Sequence, residues 1–238
     1  LGRENVHGVA MPSQYSSSHS LADAEELARN LGISYEVRPI KFAFTTLARE
    51  FNQAGTIQLA PVAEENLQSR LRGLTLMSIS NSDGSLVLTT GNKSEIAMGY
   101  CTMYGDMCGA LAPIGDLYKT KVYEVCDAVN ARFGHPIPRN TLSKAPSAEL
   151  RPDQKDQDSL PPYADLDRVL EAYIERFMTI DELARSEGEW IREIIRKMEL
   201  NEYKRRQGAP ALKVTSRAFG LGRRIPLAKR WETGPSIS

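Results

Sequence analysis

Leu86-Val-Leu-Thr-Thr-Gly-Asn-Lys-Ser-Glu-Ile-Ala-Met-Gly-Tyr-Cys-Thr-Met-Tyr-Gly-Asp106 carries an apolar run into a polar, glycine-containing turn and then into a helix start. Leu86 to Leu88 read as a short buried strand and Thr89 to Asn92 as the turn at its carboxyl end. Ser94 to Tyr100 read as a helix start with Glu95 in its first turn. In an open parallel sheet, ligands sit outside the carboxyl ends of strands, so Thr90, Asn92 and Glu95 are expected to face a nucleotide rather than a core. Hydroxyl and backbone N–H groups at such a turn hold phosphate, and a carboxylate takes magnesium or a ligand hydroxyl.

Outward from this segment the chain alternates strand and helix. Val6 to Met11 reads as a strand; the serine-rich turn after it leads to Ser20, the expected N-cap of a helix with Asp23, Glu25 and Glu26 in its first turn. Leu21, Ala24, Leu27, Ala28 and Leu31 form that helix's apolar face, Gly32 ends it, and Ile33 to Ile40 supplies the next strand. Helices are expected over Phe42 to Asn52, Ala63 to Ser80 and Lys119 to Phe133. Residues 139–163 are rich in Pro, Asp and Ser without periodicity and are expected to be a long functional loop. Asp165 to Phe177, Ile180 to Ser186 and Trp190 to Tyr203 read as further helices. The pattern is that of a Rossmann-like, doubly wound α/β sheet with helical additions, read as one domain. Residues 1–163 form its α/β core, 164–207 its helical part and 208–238 a basic tail.

Composition narrows the classes. The 238 residues hold 30 Lys and Arg against 30 Asp and Glu, a formal net charge of zero, which argues against a general nucleic-acid or acidic-surface partner. The charge is uneven, because Lys204, Arg205, Arg206, Lys213, Arg217, Arg223, Arg224, Lys229 and Arg230 crowd the end of the chain. Cys101, Cys108 and Cys126 have no paired metal spacing, and their odd number argues against a complete disulfide framework. A reducing cytoplasm is the expected setting. No signal-peptide pattern opens the chain, and no apolar run approaches the ~20 residues of a membrane-spanning helix.

The opening segment, with Glu65-Asn-Leu-Gln-Ser-Arg-Leu-Arg72, Ala112-Pro-Ile-Gly-Asp-Leu-Tyr-Lys-Thr-Lys-Val-Tyr123, Lys144-Ala-Pro-Ser-Ala-Glu-Leu150, Asp156-Gln-Asp158 and Tyr203-Lys-Arg-Arg-Gln207, resembles the synthetase domain of glutamine-dependent NAD synthetases. These blocks follow the family's order over nearly the whole chain. The family belongs to the ATP pyrophosphatase group, whose Ser-Gly-Gly-x-Asp-Ser loop wraps the pyrophosphate of ATP. That loop does not occur among these residues, and Leu1 to Ser13 look like the end of the helix after it and the strand that follows. The chain is therefore read as a fragment beginning just downstream of the loop and inactive by itself.

The resemblance implies a two-step reaction. The nicotinate carboxylate of deamido-NAD attacks the α-phosphate of ATP, and ammonia then displaces AMP to give the amide of NAD. It implies ATP contacts for Thr90, Lys119 and Ser147, and deamido-NAD contacts for Asn66, Glu95, Tyr100, Cys101, Thr102, Met103 and Lys204. It further implies Mg2+ binding for Glu95 and assigns the chemistry to Glu95 and Lys119. Asp106 is expected near the metal or dinucleotide, and Asp156 and Asp158 in a loop that orders on substrate. Thr90, Glu95, Lys119 and Ser147 are expected at one edge of the sheet. The basic ending resembles that of the glutamine-dependent branch and implies an upstream amidase domain; homodimers or higher homo-oligomers are expected through the helix holding Asn66 to Met77.

The residues themselves leave plainer readings open. Glu95 alone is equally a first-turn carboxylate favoured by ~0.3–1 kcal/mol from the helix dipole. Thr90 is equally a strand-end hydroxyl on local backbone, Ser147 a turn serine, Asn66 an exposed helix amide and Lys204 one charge in a solvated run. Lys119 at a helix start opposes the local dipole unless an anion sits there. Cys101 reads as a packed side chain rather than a nucleophile. Two other functions compete: another ATP pyrophosphatase, such as a GMP synthetase-like enzyme, and a non-catalytic subunit-contact or nucleic-acid module using the tail.

Overall fold

A computed structural model describes residues 1–54, 58–220 and 222–228. Its strands are β1 (His7–Ala10) and β2 (Ser34–Val37). Its α-helices begin with α1 (Ser18–Leu31), α2 (Lys41–Ala54), α3 (Pro61–Asp83), α4 (Lys93–Met98) and α5 (Lys119–Phe133). They continue with α6 (Arg139–Ser143), α7 (Tyr163–Ile174), α8 (Ile180–Glu187), α9 (Trp190–Leu200) and α10 (Glu202–Arg205). The chain divides into two compact units, one of Leu1–Ile79 and Tyr123–Ser159, the other of Ser80–Val122 and Leu160–Ser238.

In the first unit β1 and β2 pair in parallel, His7 opposite Ser34 through Ala10 opposite Val37, with α1 as the connection between them. Parallel neighbours need such a crossover, so strand, helix and strand form one βαβ unit. The N-cap of α1 is Ser17 rather than the expected Ser20: the Ser17 side chain accepts from the Ser20 N–H, and the helix starts at Ser18 with no acid in its first turn. Gly32 ends it as expected, in the left-handed region at φ 66°. Ile40, Phe44 and Leu71 make a small core under α2 and α3. Residues 139–163, expected to be loop, hold α6 and a 3-10 turn over Asp156–Asp158. Asn140, on α6, donates to both carboxylate oxygens of Asp23 at 3.0 Å, an anchor that hydrophobic periodicity does not register.

In the second unit the strand expected over Leu86 to Leu88 contracts to a single parallel bridge, Leu88 to Leu111, and Ala112 bridges Ala211. Leu86 and Leu88 are 64% and 40% exposed, so the apolar run is not the buried strand it resembles. Helices supply the core. On α9, Ile191, Ile194, Ile195 and Met198 recur at helical spacing and are all buried, while on α7 Leu166, Val169, Leu170 and Ile174 are fully enclosed. The helix expected from Trp190 to Tyr203 breaks at Asn201, whose side-chain amide donates to Lys197 O and Met98 O, ending α9 before α10 begins. Among the described residues no helix is long and apolar enough to cross a membrane.

Candidate functional site

The centre of the site is the first turn of α4. At six residues this helix is far below the length at which a helix holds itself in water, so its ends must be fixed by partners. Asn92 is the N-cap: its Oδ1 accepts from the Glu95 N–H at 3.0 Å, and Glu95 Oε2 accepts from the Asn92 N–H at 3.0 Å, closing a capping box. The opposite end stops at Gly99 in the left-handed region. There the Lys204 ammonium donates to Gly99 O at 2.6 Å and Cys101 O at 2.9 Å, and the buried side chain of Arg205 donates to Ala97 O at 2.9 Å. Cations on the carbonyl end complement the helix dipole.

Glu95 and Lys119 are brought together, as expected. Glu95 Oε1 lies 3.3 Å from Lys119 Nζ, with both side chains about one-fifth exposed. The Lys119 ammonium also stands 5.5 Å from the centre of the Tyr163 ring. The starts of α4 and α5 are tied by side chains: the Lys119 N–H donates to Ser94 Oγ at 2.9 Å, Ser94 Oγ donates to Asp167 Oδ1 at 2.5 Å, and the Thr120 N–H donates to Asp167 Oδ2 at 2.8 Å. Burial pushes the Asp167 carboxyl up, and the Ser94 and Thr120 bonds only partly oppose it. Thr90 is exposed at the turn just before Asn92, next to buried Thr89.

Past α4, the Thr102 N–H donates to Asp106 Oδ1 at 2.7 Å, and Gln207 donates to the Met103 sulfur at 3.3 Å. Tyr100 is half-buried. Burial, with Asp106 nearby, pushes the Cys101 thiol up to about 12, so it stays a neutral packed group at physiological pH. Several arginines of the basic run make internal contacts. Arg205 and Arg206 pair with Glu202, and Arg217 and Arg223 lie over the rings of Phe177 and Tyr173. Lys229, Arg230 and the rest of the tail lie outside the described residues.

Ser147 and Asn66 belong to the first unit. Ser147 is exposed, and its Oγ accepts from the Glu149 N–H at 3.1 Å, the turn-serine arrangement. Asn66 is half-buried on α3; two residues further on Gln68 is fully buried and donates to Leu150 O at 2.8 Å. Glu149 accepts from the Ser17 N–H and from the hydroxyls of Ser17 and Ser20 at the start of α1. Asp156 is buried, and Asp158 pairs with Arg151 at 3.2 Å.

Among the described residues, no three His, Cys, Asp or Glu side chains converge as a metal cage. The donor set at α4 is one carboxylate beside an ammonium. That set fits magnesium held chiefly by substrate phosphates, since Mg2+ keeps waters and phosphate oxygens and takes only one or two protein carboxylates.

Sequence reasoning missed Lys93 and Asp116, which are buried and paired at 3.0 Å, and the Ser94–Asp167 bond. Both Lys93 and Asp116 stand inside recognisable blocks. A lysine at a helix start reads as solvated, however, and its partners are far away in sequence.

Comparison with known proteins adds the family. The model of the NAD synthase family matches residues 1–208. A glutamine-dependent NAD(+) synthetase of Synechocystis sp. is 50% identical over 235 residues, which span 96% of this chain and 41% of the relative. The solved glutamine-dependent NAD+ synthetase from Acinetobacter baumannii in complex with ADP is 40% identical with a TM-score of 0.59, covering 95% of this chain and 41% of that one. A glutamine-dependent NAD(+) synthetase structure from Cytophaga hutchinsonii, 20% identical, covers 93% of this chain and 38% of its own with a TM-score of 0.77, a likeness of fold alone. The fold is thus the Rossmann-like α/β fold of these proteins, and the chain spans about two-fifths of the length of the curated relatives it matches.

Proposed function

We propose, because the chain belongs to the NAD synthase family, that it is the synthetase part of a glutamine-dependent enzyme that converts deamido-NAD, ATP and ammonia to NAD, AMP and pyrophosphate. Support comes from the relatives, which are named for that activity and whose length leaves room for an amidase domain. The observation that carries the reading to particular residues is the Glu95–Lys119 pair, held at the capped start of α4.

In the first step an oxygen of the nicotinate carboxylate bonds to the α-phosphorus, and the bond from that phosphorus to the bridging oxygen breaks, releasing pyrophosphate. In the second, ammonia nitrogen bonds to the acyl carbon, AMP leaves with the electron pair, and a proton leaves the nitrogen. Two anions must meet in the first step, so positive charge and N–H dipoles at fixed positions are the protein's contribution. Lys119 supplies a cation at the phosphates, and Thr90 and Ser147 supply hydroxyls. Glu95 would hold magnesium, which when bound neutralises phosphate oxygens. Asn66, Tyr100 to Met103 and Lys204 hold the dinucleotide, Lys204 by organising the carbonyls of residues 99 and 101.

The three cysteines are free thiols, which supports a cytoplasmic setting that cell fractionation checks. Leu74 and Met77, 63% and 38% exposed on α3, support a homo-oligomer.

The test is NAD formation by the intact gene product supplied with deamido-NAD, ATP, magnesium and ammonia. Glu95→Gln keeps an oxygen for the capping box but loses the charge, and Lys119→Met loses the ammonium. Each is expected to lower kcat/KM about a hundredfold or more while the protein stays folded. Absence of NAD from the unsubstituted protein, or wild-type rates from both variants, removes the proposal.

A further inference from the structure

Lys93, the first residue of α4, takes no part in the chemistry above, yet its side chain is fully buried. A buried ammonium is expensive unless paired. Two carboxylates meet this one, Asp116 Oδ1 at 3.0 Å and Glu175 Oε1 at 3.1 Å, and its nitrogen lies 4.6 Å from the Tyr118 ring centre. One cation does not use up the acceptors of two carboxylates. The remaining donors come from one short stretch near the end of the chain.

The N–H groups of Val214 and Thr215 donate to Asp116 Oδ2 at 2.9 and 2.8 Å, and the N–H and hydroxyl of Ser216 donate to Glu175 Oε2 at 3.1 and 2.6 Å. The Thr215 hydroxyl stands between the charges: it accepts from Lys93 Nζ at 2.6 Å and donates to Asp116 at 2.8 Å. Arg217 O accepts from the same ammonium at 2.8 Å. Lys93 thus binds together the segment before α5, the end of α7 and residues 214–217.

This anchor is two residues from Glu95. The Lys93 N–H donates to Leu117 O at 2.8 Å, and Ser94, next in line, takes the Lys119 N–H. The starts of α4 and α5 are therefore fixed relative to each other by Lys93 and Ser94 together, and the Glu95–Lys119 pair lies across that junction.

We propose that Thr215 and its neighbours 214–217 are positioning residues, which act through buried Lys93 to hold the first turn of α4 and keep Glu95 aimed at Lys119. The inference rests on the reading of Glu95 and Lys119 as the groups that meet phosphate and magnesium. It makes the end of the chain part of the synthetase site without contact with substrate.

The test is Thr215→Val, of the same shape but without the hydroxyl, with Thr215→Ser as the conservative variant, both in the intact gene product. Valine strands buried charge next to it, so kcat for ammonia-dependent NAD formation is expected to fall about tenfold or more, with the KM for deamido-NAD within about twofold. Serine is expected to restore most of kcat. A merely stabilising tail would lower the unfolding temperature and leave kcat of the folded protein unchanged. Hydrogen exchange gives a readout independent of turnover. In Thr215→Val, amides of residues 92–98 should exchange faster, with those of α8 and α9 unchanged. Wild-type kcat in Thr215→Val, or faster exchange confined to 213–217, overturns the inference. An unsubstituted protein that makes no NAD removes the proposed function instead, and the exchange comparison then decides the positioning role alone.

Discussion

Asp116 is a carboxylate kept ionised where water hardly reaches it, at 1% exposure. Burial pushes its carboxyl up, but the N–H groups of Thr215 and Val214, with Lys93, outweigh burial and hold it below the usual carboxylate range. A carboxyl whose folded pKa lies below its unfolded value of about 3.9 stabilises the fold fully above that value and loses the contribution as pH falls through the folded one. Asp116→Asn leaves Lys93 with Glu175 as its one carboxylate partner, and breaking a buried pair of this kind costs about 3–5 kcal/mol. Urea unfolding near neutral pH should show that loss, and the gap to the unsubstituted protein should narrow below about pH 4. An equal gap at all pH values would discard the assignment of charge. The sequence marked Glu95 and Lys119 as positions but said nothing of Lys93 and Asp116 as a buried pair. Their partners, Glu175 and Thr215, are joined to them only by the fold.

At the scale of elements, what could be read was what local chemistry controls. Lys119–Phe133 has the expected bounds, α1 ends at Gly32, and the α9 face follows its 3.6-residue period. Where tertiary contacts decide, local sequence is a poor guide. Ser17 rather than Ser20 caps α1 while the Glu149 carboxylate, distant in sequence, takes its N–H. Leu86 to Leu88 looked like a strand by composition, but strand identity depends on neighbours, and one bridge is what forms. α3 carries its own test. It buries Leu71 to 7% exposure but leaves Leu74 at 63%, one turn along. If the open side of this helix is a contact between copies, Leu74→Lys should shift the protein to a smaller species in sedimentation, with ammonia-dependent turnover reduced. An unchanged oligomer, or a wild-type monomer, would remove α3 from the interface.

For the whole molecule, the question is how much of the proposed reaction these 238 residues can carry. They supply the Glu95–Lys119 pair, the turn that holds it and the tail segment that anchors that turn. They contain no Ser-Gly-Gly-x-Asp-Ser stretch, the feature that in the ATP pyrophosphatase group surrounds the leaving pyrophosphate. Charge builds on that group as the α-phosphorus bond breaks, and even one well-placed donor at a comparable anion site contributes ~3–4 kcal/mol, about a hundredfold to a thousandfold in rate. Under the proposed function a chain without such donors would be impaired at adenylation, a step that extra ammonia does not assist. The 238-residue chain purified alone is therefore expected to give no measurable NAD from deamido-NAD, ATP, magnesium and ammonia. The glutamine-dependent relative from Synechocystis sp., assayed beside it, is the positive control. Pyrophosphate release measured in the same samples locates the defect, because a chain blocked at adenylation releases none even without ammonia. Turnover near that of the control would falsify this account and place the pyrophosphate-binding groups among the residues described here.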